Sequence, residues 1–187
     1  MAKPTTKREE ILDVAEVMMR KAGYNGFSTR EVAAAVEIKP ASVHYYFPTK
    51  SDIGAAVTER YTERFLETLG PPSAFQGAPG AALAHYIDSF RKALFRDGAV
   101  CLCAVLGAEI DDLPEHVRQS TKVFFERNLE WLTTVISDGN EGCRDAASGK
   151  AALVLAGLEG AMILSNSLAN HTAFERAAER LLNAVSD

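Results

Sequence analysis

Apolar residues near the N-terminus recur with the spacing of one face of an α-helix. The set with the spacing i, i+4, i+7, i+8 and i+11 is Ile11, Ala15, Met18, Met19 and Ala22. Thr6 and Glu9 lie three residues apart just before this run, which is the spacing of a capping box. The pattern therefore predicts a first helix that begins after Thr6 and ends near Gly23.

Two short helices and the start of a longer one are predicted within the next thirty residues. Ser28 and Glu31 have the spacing of a second capping box, in front of a helix of about two turns. Pro40 suits the first turn of the following helix, and Pro48 stops it. Thr49 then suits the start of a fourth helix that runs to about residue 69.

Residues 70–80 form a loop by composition, because they are rich in glycine and proline. Beyond this loop, the apolar spacing predicts helices at about 79–96, 101–110, 113–138, 144–168 and 172–185. No alternation of period two, typical of strands, occurs anywhere in the sequence. The predicted fold is therefore all-α, with most of the apolar stripes buried in a helical bundle.

Charge divides the chain into two parts. The net charge of the 187 residues is −5, with 20 Lys and Arg against 25 Asp and Glu. Residues 1–50 hold eight of these cations and six of these anions, whereas residues 51–187 hold twelve and nineteen. This distribution excludes a protein that binds nucleic acid over its whole surface, and it fits phosphate contacts at one end. We therefore expect a domain over residues 1–50 and a second over residues 51–187.

Composition indicates a cytoplasmic protein without a cofactor. No uncharged apolar run reaches the roughly 18 to 20 residues that cross a bilayer, and the first residues lack the apolar core of a signal peptide. Cys101, Cys103 and Cys143 form no CxxC pair, so we expect free thiols and a reducing compartment rather than disulfides or structural zinc. We expect no membrane partner and no metal.

The second and third predicted helices have the form of a helix-turn-helix, with the first helix packed behind them. In this motif the second helix of the pair lies in the major groove of DNA. The apolar side chains of Ala33, Ile38 and Val43 suit the crossing of the two helices. The residues left outward on the second helix are Lys39, Ala41, Ser42, His44 and Tyr45. Small and hydroxylated residues can approach base edges, whereas lysine and tyrosine suit phosphates.

The run from Phe27 to Ile53 resembles the DNA-binding signature of the tetracycline-repressor (TetR) family of bacterial transcriptional regulators. The run reads FSTREVAAAVEIKPASVHYYFPTKSDI, and it follows a turn that begins at Gly23. The resemblance implies nine or ten helices, a homodimer that binds a palindromic double-stranded DNA operator, and release of DNA when a small-molecule effector enters the C-terminal domain. The expected function is a ligand-responsive regulator of transcription, and repression is the expected direction.

The resemblance also implies which residues contact DNA. Those at or near the bases are Lys39, Ala41, Ser42 and His44, and those along the phosphates are Thr29, Arg30, Tyr45, Tyr46 and Lys50. Glu37 departs from the family, which often has glycine there, and a side chain costs free energy if φ is positive. His44 also departs, because tyrosine is common at this position. The alternative is that Tyr45, Tyr46 and Phe47 are core aromatics.

The effector and dimer sites are implied by the family and not visible in the sequence. The expected effector-lining residues are Phe90, Cys103, Phe124, Asn128, Trp131, Met162 and Asn166. The expected dimer residues, on the last two helices, are Leu155, Ala156, Gly160, Ile163, Leu181, Leu182 and Val185. The alternative for both sets is packing inside one chain.

A thiol sensor on the same scaffold is the second hypothesis. The segment from Ala99 to Glu109 looks like a subset of the family that includes sensors of electrophiles or oxidants. Cys101 is favoured over Cys103 because it falls at a predicted helix start, where a thiolate is stabilised. Burial as small apolar side chains is the alternative. An enzyme is not expected, because no HExxH, GxSxG or phosphate-binding glycine loop occurs.

Overall fold

A computed structural model describes residues 6–186, except the side chains of residues 96, 97 and 184–186. Within these residues the chain forms nine α-helices and no strands, so the all-α prediction is confirmed. The helices are α1 (Lys7–Ala22), α2 (Thr29–Ala35), α3 (Pro40–Tyr46), α4 (Lys50–Leu69), α5 (Pro79–Asp97), α6 (Leu102–Ala108), α7 (Glu115–Ile136), α8 (Arg144–Ser167) and α9 (Thr172–Ser186). Each predicted helix ends within two residues of these bounds.

The predicted caps begin the first, second and fourth helices. The Thr6 hydroxyl accepts a hydrogen bond from the backbone N–H of Glu9, and the Glu9 carboxylate accepts one from the backbone N–H of Thr6. Ser28 makes only half of the predicted box, because the Glu31 carboxylate binds its hydroxyl and not its backbone. The Asp52 carboxylate accepts a 2.8 Å hydrogen bond from the backbone N–H of Thr49.

The first of two compact units comprises residues 1–62 and 102–124. The first three helices pack on one another, and α6 packs against α1. The rings of Tyr61 and Phe124 lie 5.8 Å apart, and the Ser120 hydroxyl donates to the Glu59 carboxylate at 3.3 Å. A segment distant in the sequence therefore completes the core under the helix-turn-helix.

The second compact unit comprises residues 63–101 and 125–187. Its most extensive helix pair is α8 with α9, where a Cβ on Gly157 would lie 2.9 Å from the Leu181 side chain. These helices therefore approach closely. An Arg91–Glu175 ion pair of 2.8 Å joins α5 to α9. The predicted division of function at residue 50 stays a prediction, since the compact units group residues by contact.

Helix α8 is also long and apolar. The helical segment of residues 141–167 is long enough to cross a bilayer, and it contains an 18-residue stretch with a mean hydropathy of 1.4, which is apolar enough to do so by composition alone. About 44% of that stretch is buried, and the core helices of soluble proteins meet the same criterion. It contains Lys150 and Glu159, so it does not contradict the absence of a long uncharged run.

Candidate functional site

The turn between α2 and α3 is closed by backbone hydrogen bonds. The N–H of Ile38 donates to the Ala33 carbonyl at 3.0 Å, and the N–H of Glu37 donates to the Ala34 carbonyl at 3.2 Å. Glu37 adopts a left-handed φ of 57°, which is the costly conformation expected for a residue that replaces glycine. Ala33 and Val43 are buried, so the two helices cross at small and branched side chains.

Helix α3 presents the predicted set of side chains to solvent. Lys39, Ala41, Ser42, His44 and Tyr45 are all exposed, and Tyr45 has an exposed fraction of 84%. The core-aromatic alternative is wrong for Tyr45, which lies outside the core. It holds for Phe47, which is buried, whereas Tyr46 is 38% exposed and contacts the Tyr45 ring edge-on.

The predicted phosphate-contacting residues differ in how freely they reach solvent. Thr29 is half-buried and Arg30 exposed in the first turn of α2. The Lys50 ammonium instead lies 4.5 Å above the Tyr24 ring and 4.8 Å above the Phe27 ring. Burial lowers the pKa of Lys50, and the carboxylates of Glu31 and Glu109 oppose that shift. Packing by Lys50 on aromatic rings was not predicted.

Two cations near the N-terminus also have structural partners. The Lys7 ammonium donates to the carbonyl of Val36 at 3.3 Å, at the C-terminal end of α2. The Arg8 guanidinium lies 5.0 Å from the centre of the Phe47 ring. Both contacts join α1 to the helix-turn-helix and favour cation–π and helix-end interactions over a purely solvated role.

Glu109 contacts the turn that follows α1, and sequence reasoning missed this contact. Its carboxylate accepts a 2.9 Å hydrogen bond from the backbone N–H of Tyr24. Gly23, with φ of 73°, permits the approach, because a Cβ there would lie 1.9 Å from a Glu109 oxygen. Tyr24 and Glu109 are 85 positions apart, so no local sequence pattern signals the contact.

Part of the predicted effector-lining set forms a buried cluster in the second unit. The Tyr86 hydroxyl donates to the Asn128 side-chain oxygen at 2.8 Å, and the Tyr86 ring stacks on Trp131 at 5.6 Å. The centre of the Phe90 ring lies 5.3 Å from the centre of the Tyr86 ring. Met162 is fully buried in this unit. Tyr86 itself was missed as a polar residue of the cluster.

Three further members of the predicted effector-lining set differ in burial and in the unit to which they belong. Cys103 and Phe124 are buried but belong to the first unit, and Asn166 is exposed. The exposure of Asn166 on α8 does not favour a place in a buried lining, and its assignment to the effector site stays a prediction. Neither the family pattern nor the helical spacing distinguished the buried residues of this set from the exposed one.

Cys101 is a poor thiolate site in this structure. It is buried directly before α6, and its thiol interacts with the carboxyl group of Glu159. A neighbouring carboxyl disfavours a thiolate, whereas a cation would stabilise it. Cys103 is also buried, and Cys143 is exposed. The first unit's α6 starts at Leu102, one residue later than predicted.

The predicted dimer residues divide between the core and the surface. Leu155 and Leu181 are buried within the chain, which favours the alternative of packing inside one chain for these two residues. Ala156 and Ile163 are exposed on α8, Gly160 and Leu182 are half-buried, and the side chain of Val185 lies outside the described residues. One face of α8 also exposes Leu153, Leu164 and Leu168, which the prediction omitted.

No metal site forms among the residues that the structure describes. Within residues 6–186, no three histidine, cysteine, aspartate or glutamate side chains lie close enough together to hold an ion. The candidate functional features are therefore two. One is a surface of small, hydroxyl and cationic groups on the helix-turn-helix, and the other is a buried polar and aromatic cluster in the second unit.

Comparison with known proteins agrees with this geometry. Residues 11–57 match the model of the bacterial regulatory proteins of the tetR family. The HTH-type transcriptional repressor NemR of Escherichia coli K12 is 26% identical over 140 residues, covering 72% of this chain and 69% of NemR. The repressor DhaR of Mycobacterium sp. strain GP1 is 24% identical, over 73% of this chain and 69% of DhaR. A TetR regulator from Legionella pneumophila superposes with a TM-score of 0.85, at 28% identity over 98% of this chain and 99% of that one.

Proposed function

We propose that the chain is a member of the TetR family of bacterial regulatory proteins, and that it is a cytoplasmic repressor that binds its operator as a homodimer and releases it when a small molecule binds. The observation that carries this proposal is the surface of α3, where Tyr45 is 84% exposed and stands beside the exposed residues of the same helix. A large aromatic side chain kept in water at this position suits contact with a phosphate backbone. The two relatives named above are themselves described as repressors.

Helix α3 enters the major groove in the proposed complex. Ala41 and Ser42 lie in its first turn, where small side chains allow the backbone to approach the base edges. Lys39 and His44 flank them, and His44 Nδ1 lies 3.1 Å from the carbonyl of Pro48. Its other ring nitrogen, Nε2, is the one available to a base or phosphate. Thr29, Arg30, Tyr45 and Tyr46 contact the phosphates on either side.

Two copies of α3 read two half-sites about one helical turn, or roughly 34 Å, apart. The exposed apolar face of α8 supplies the contact between the two copies. It is formed by Leu153, Ala156, Ile163, Leu164 and Leu168, which share one side of the helix. Contiguous apolar side chains of this kind are typical of an interface between subunits.

Residues 1–50 bind DNA in this proposal, and residues 51–187 bind the effector and the second copy. The effector site includes the buried cluster of Tyr86, Asn128 and Trp131. Effector binding shifts the population towards a conformation in which the two α3 helices no longer match two successive major grooves. The relatives are transcriptional regulators, and none of the described residues forms an enzyme-like metal centre.

A thiol sensor on this scaffold is supported less well than a non-covalent effector site. Cys101 and Cys103 are both buried, and Cys101 faces a carboxyl group rather than a cation. An electrophile would have to open the helical packing before it reached either sulfur atom. Replacing Cys101 by Ser should leave the response to electrophiles unchanged if the non-covalent proposal is correct.

Operator binding is tested with the DNA that flanks the gene. Fluorescence anisotropy across a salt series should show tight binding whose logarithm falls steeply and linearly with the logarithm of salt concentration. A scrambled duplex of equal length should bind far more weakly at each salt concentration. Equal binding to both duplexes, or none to either across all flanking fragments, would overturn the repressor proposal.

A further inference from the structure

Glu159 places a carboxyl group inside the second unit without a strong partner. The side chain is only 8% exposed, and both oxygen atoms are buried without a hydrogen-bond partner of good geometry among the described residues. Leu155, Leu158 and Met162, on the same helix, are buried around it. A buried polar group in this state costs free energy, so its presence in a helix otherwise filled with apolar residues suggests a partner that binds later.

Burial and the Cys101 thiol are the two influences on the Glu159 carboxyl group. Burial raises the pKa of its carboxyl group well above the ordinary value, and the Cys101 thiol adds to the shift. None of the lysine or arginine side chains that the structure describes contributes to it. Arg91, on α5, is held by Glu175 and Asp88. Burial and the neighbouring thiol therefore both favour the neutral form of the Glu159 carboxyl group.

Aromatic rings stand on the same side of the unit. Tyr86 is fully buried, and Phe65, Phe90 and Trp131 lie 5.8, 5.3 and 5.6 Å from it, between ring centres. Helix α5, which carries Tyr86 and Phe90, packs against α8, which carries Glu159. Burial raises the pKa of Tyr86, and the charge of Glu159 raises it further. The faces of aromatic rings carry negative potential, and a desolvated cation is attracted to such a face.

We propose that the effector is an organic cation of the substituted-ammonium class, whose charged nitrogen pairs with Glu159 while its hydrocarbon part contacts the rings around Tyr86. The inference rests on the proposed function, because it names the chemical class of that regulator's effector. On binding, the Glu159 carboxyl releases its proton to solvent and forms an ion pair with the ligand. No other bond forms or breaks.

The position of Glu159 also links the site to α6. The thiol it contacts belongs to Cys101, which is bonded to Leu102, the first residue of α6. The residue that follows α6 is Glu109, whose carboxylate binds the backbone of Tyr24.

Two isosteric pairs of soluble probes test the charge requirement without DNA. Choline is compared with 3,3-dimethylbutanol, and benzylamine with benzyl alcohol, by calorimetry and by the fluorescence of Trp131, which is the only tryptophan in the sequence. At least one cation should bind tenfold or more tightly than its neutral partner. Neither cation binding more tightly than its partner would overturn the inference.

Glu159→Gln should abolish the preference for the cation, whereas Glu175→Gln, at an ion pair on the surface of the same unit, should keep it. A cation preference that survives in Glu159→Gln would also overturn the inference. Thermal melts exclude unfolding as the cause, because the glutamine variant should be at least as stable as the parent. Operator anisotropy is measured separately, so a protein that binds the cation but no DNA would contradict the repressor proposal alone.

Discussion

The carboxylate of Glu109 accepts a 2.9 Å hydrogen bond from the backbone N–H of Tyr24, at the turn that follows the first helix. The acceptor follows α6 directly, and the donor precedes the helix-turn-helix. This bond ties a late segment of the chain to the backbone that sets the position of α2. It is also a charge-assisted hydrogen bond in a partly buried position, the kind that contributes most to stability.

Glu109→Ala should weaken operator binding as well as stability. Loss of the acceptor leaves the N–H of Tyr24 without a partner, which costs about 1–3 kcal/mol. Glu109→Gln keeps an oxygen acceptor and should lose less than half as much. Asp112→Ala, at an exposed residue three positions away, is the control and should change neither quantity. Urea denaturation and anisotropy give the two measurements, and equal loss in all three variants would contradict the role of Glu109.

Ala41→Glu should abolish operator binding and leave the oligomeric state unchanged. The residue is exposed in the first turn of α3, and a carboxylate there meets the negative charge of DNA. Ala81→Glu, exposed near the start of α5, adds the same charge away from this surface and should bind normally. Anisotropy and light scattering measure the two properties. Normal binding by Ala41→Glu would remove α3 from the proposed interface.

Leu164→Glu should convert the dimer into a monomer. The side chain is 56% exposed on the apolar face of α8, so a charge there disfavours a second copy but scarcely affects the fold. Operator affinity should fall tenfold or more, because a monomer contacts one half-site. Val17→Glu, at a 68% exposed residue of α1, is the matched control. Light scattering that finds the Leu164 variant still dimeric would place the interface elsewhere.

Glu37→Gly should stabilise the protein by about 0.5–1 kcal/mol, because glycine adopts the observed φ of 57° without steric cost. The substitution also removes a negative charge near DNA and should raise operator affinity at low salt. Glu37→Gln separates the two effects, since it removes the charge but keeps the backbone strain. Thermal melts should therefore distinguish glycine from glutamine, and equal melting temperatures would contradict the strain.

The buried Glu159 should make stability depend on pH. The carboxyl ionises in the unfolded chain near its ordinary value of 4.5, whereas the folded protein keeps it protonated to higher pH. The free energy of unfolding therefore falls as pH rises above about 4.5, until the raised pKa of the folded state is reached. Cys101 and Tyr86 are the other titratable groups that interact with it.

Glu159→Gln should remove this dependence. Its melting temperature should exceed that of the parent at pH 8 by roughly 2–4 °C for each kcal/mol gained, and the difference should shrink towards pH 5. Glu175→Gln should show the opposite sign, because its partner Arg91 lowers the pKa of the Glu175 carboxyl. Parallel pH profiles for the Glu159 variant and the parent would contradict a protonated buried carboxyl.

Local patterns predicted the helices and the exposed surface of α3, because capping residues and apolar spacing act within a few residues of one another. Thr6, Ser28 and Pro40 each marked a helix start that the structure contains. The left-handed φ at Glu37 followed from its place in the turn. Its cost could be anticipated because only the backbone of that residue decides it.

Contacts between distant segments could not be predicted in the same way. Helical spacing gave Asn166 and Leu155 no distinguishing feature, yet the first is exposed and the second buried. Lys50 was expected only along the DNA phosphates, and its packing over the rings of Tyr24 and Phe27 was not predicted. The hydrogen bond of Glu109 and the burial of Glu159 depend on tertiary packing, which no local sequence pattern signals.

The first compact unit is discontinuous in sequence. It is formed by residues 1–62 and 102–124, whereas residues 63–101 between them belong to the second unit. The ribosome therefore releases the recognition helix long before it makes the residues that cover its supporting core, such as Leu106 and Phe124. A chain that stops within residues 63–101 would expose that core to water and would aggregate or be degraded. Premature termination thus yields no stably folded copy of the helix-turn-helix.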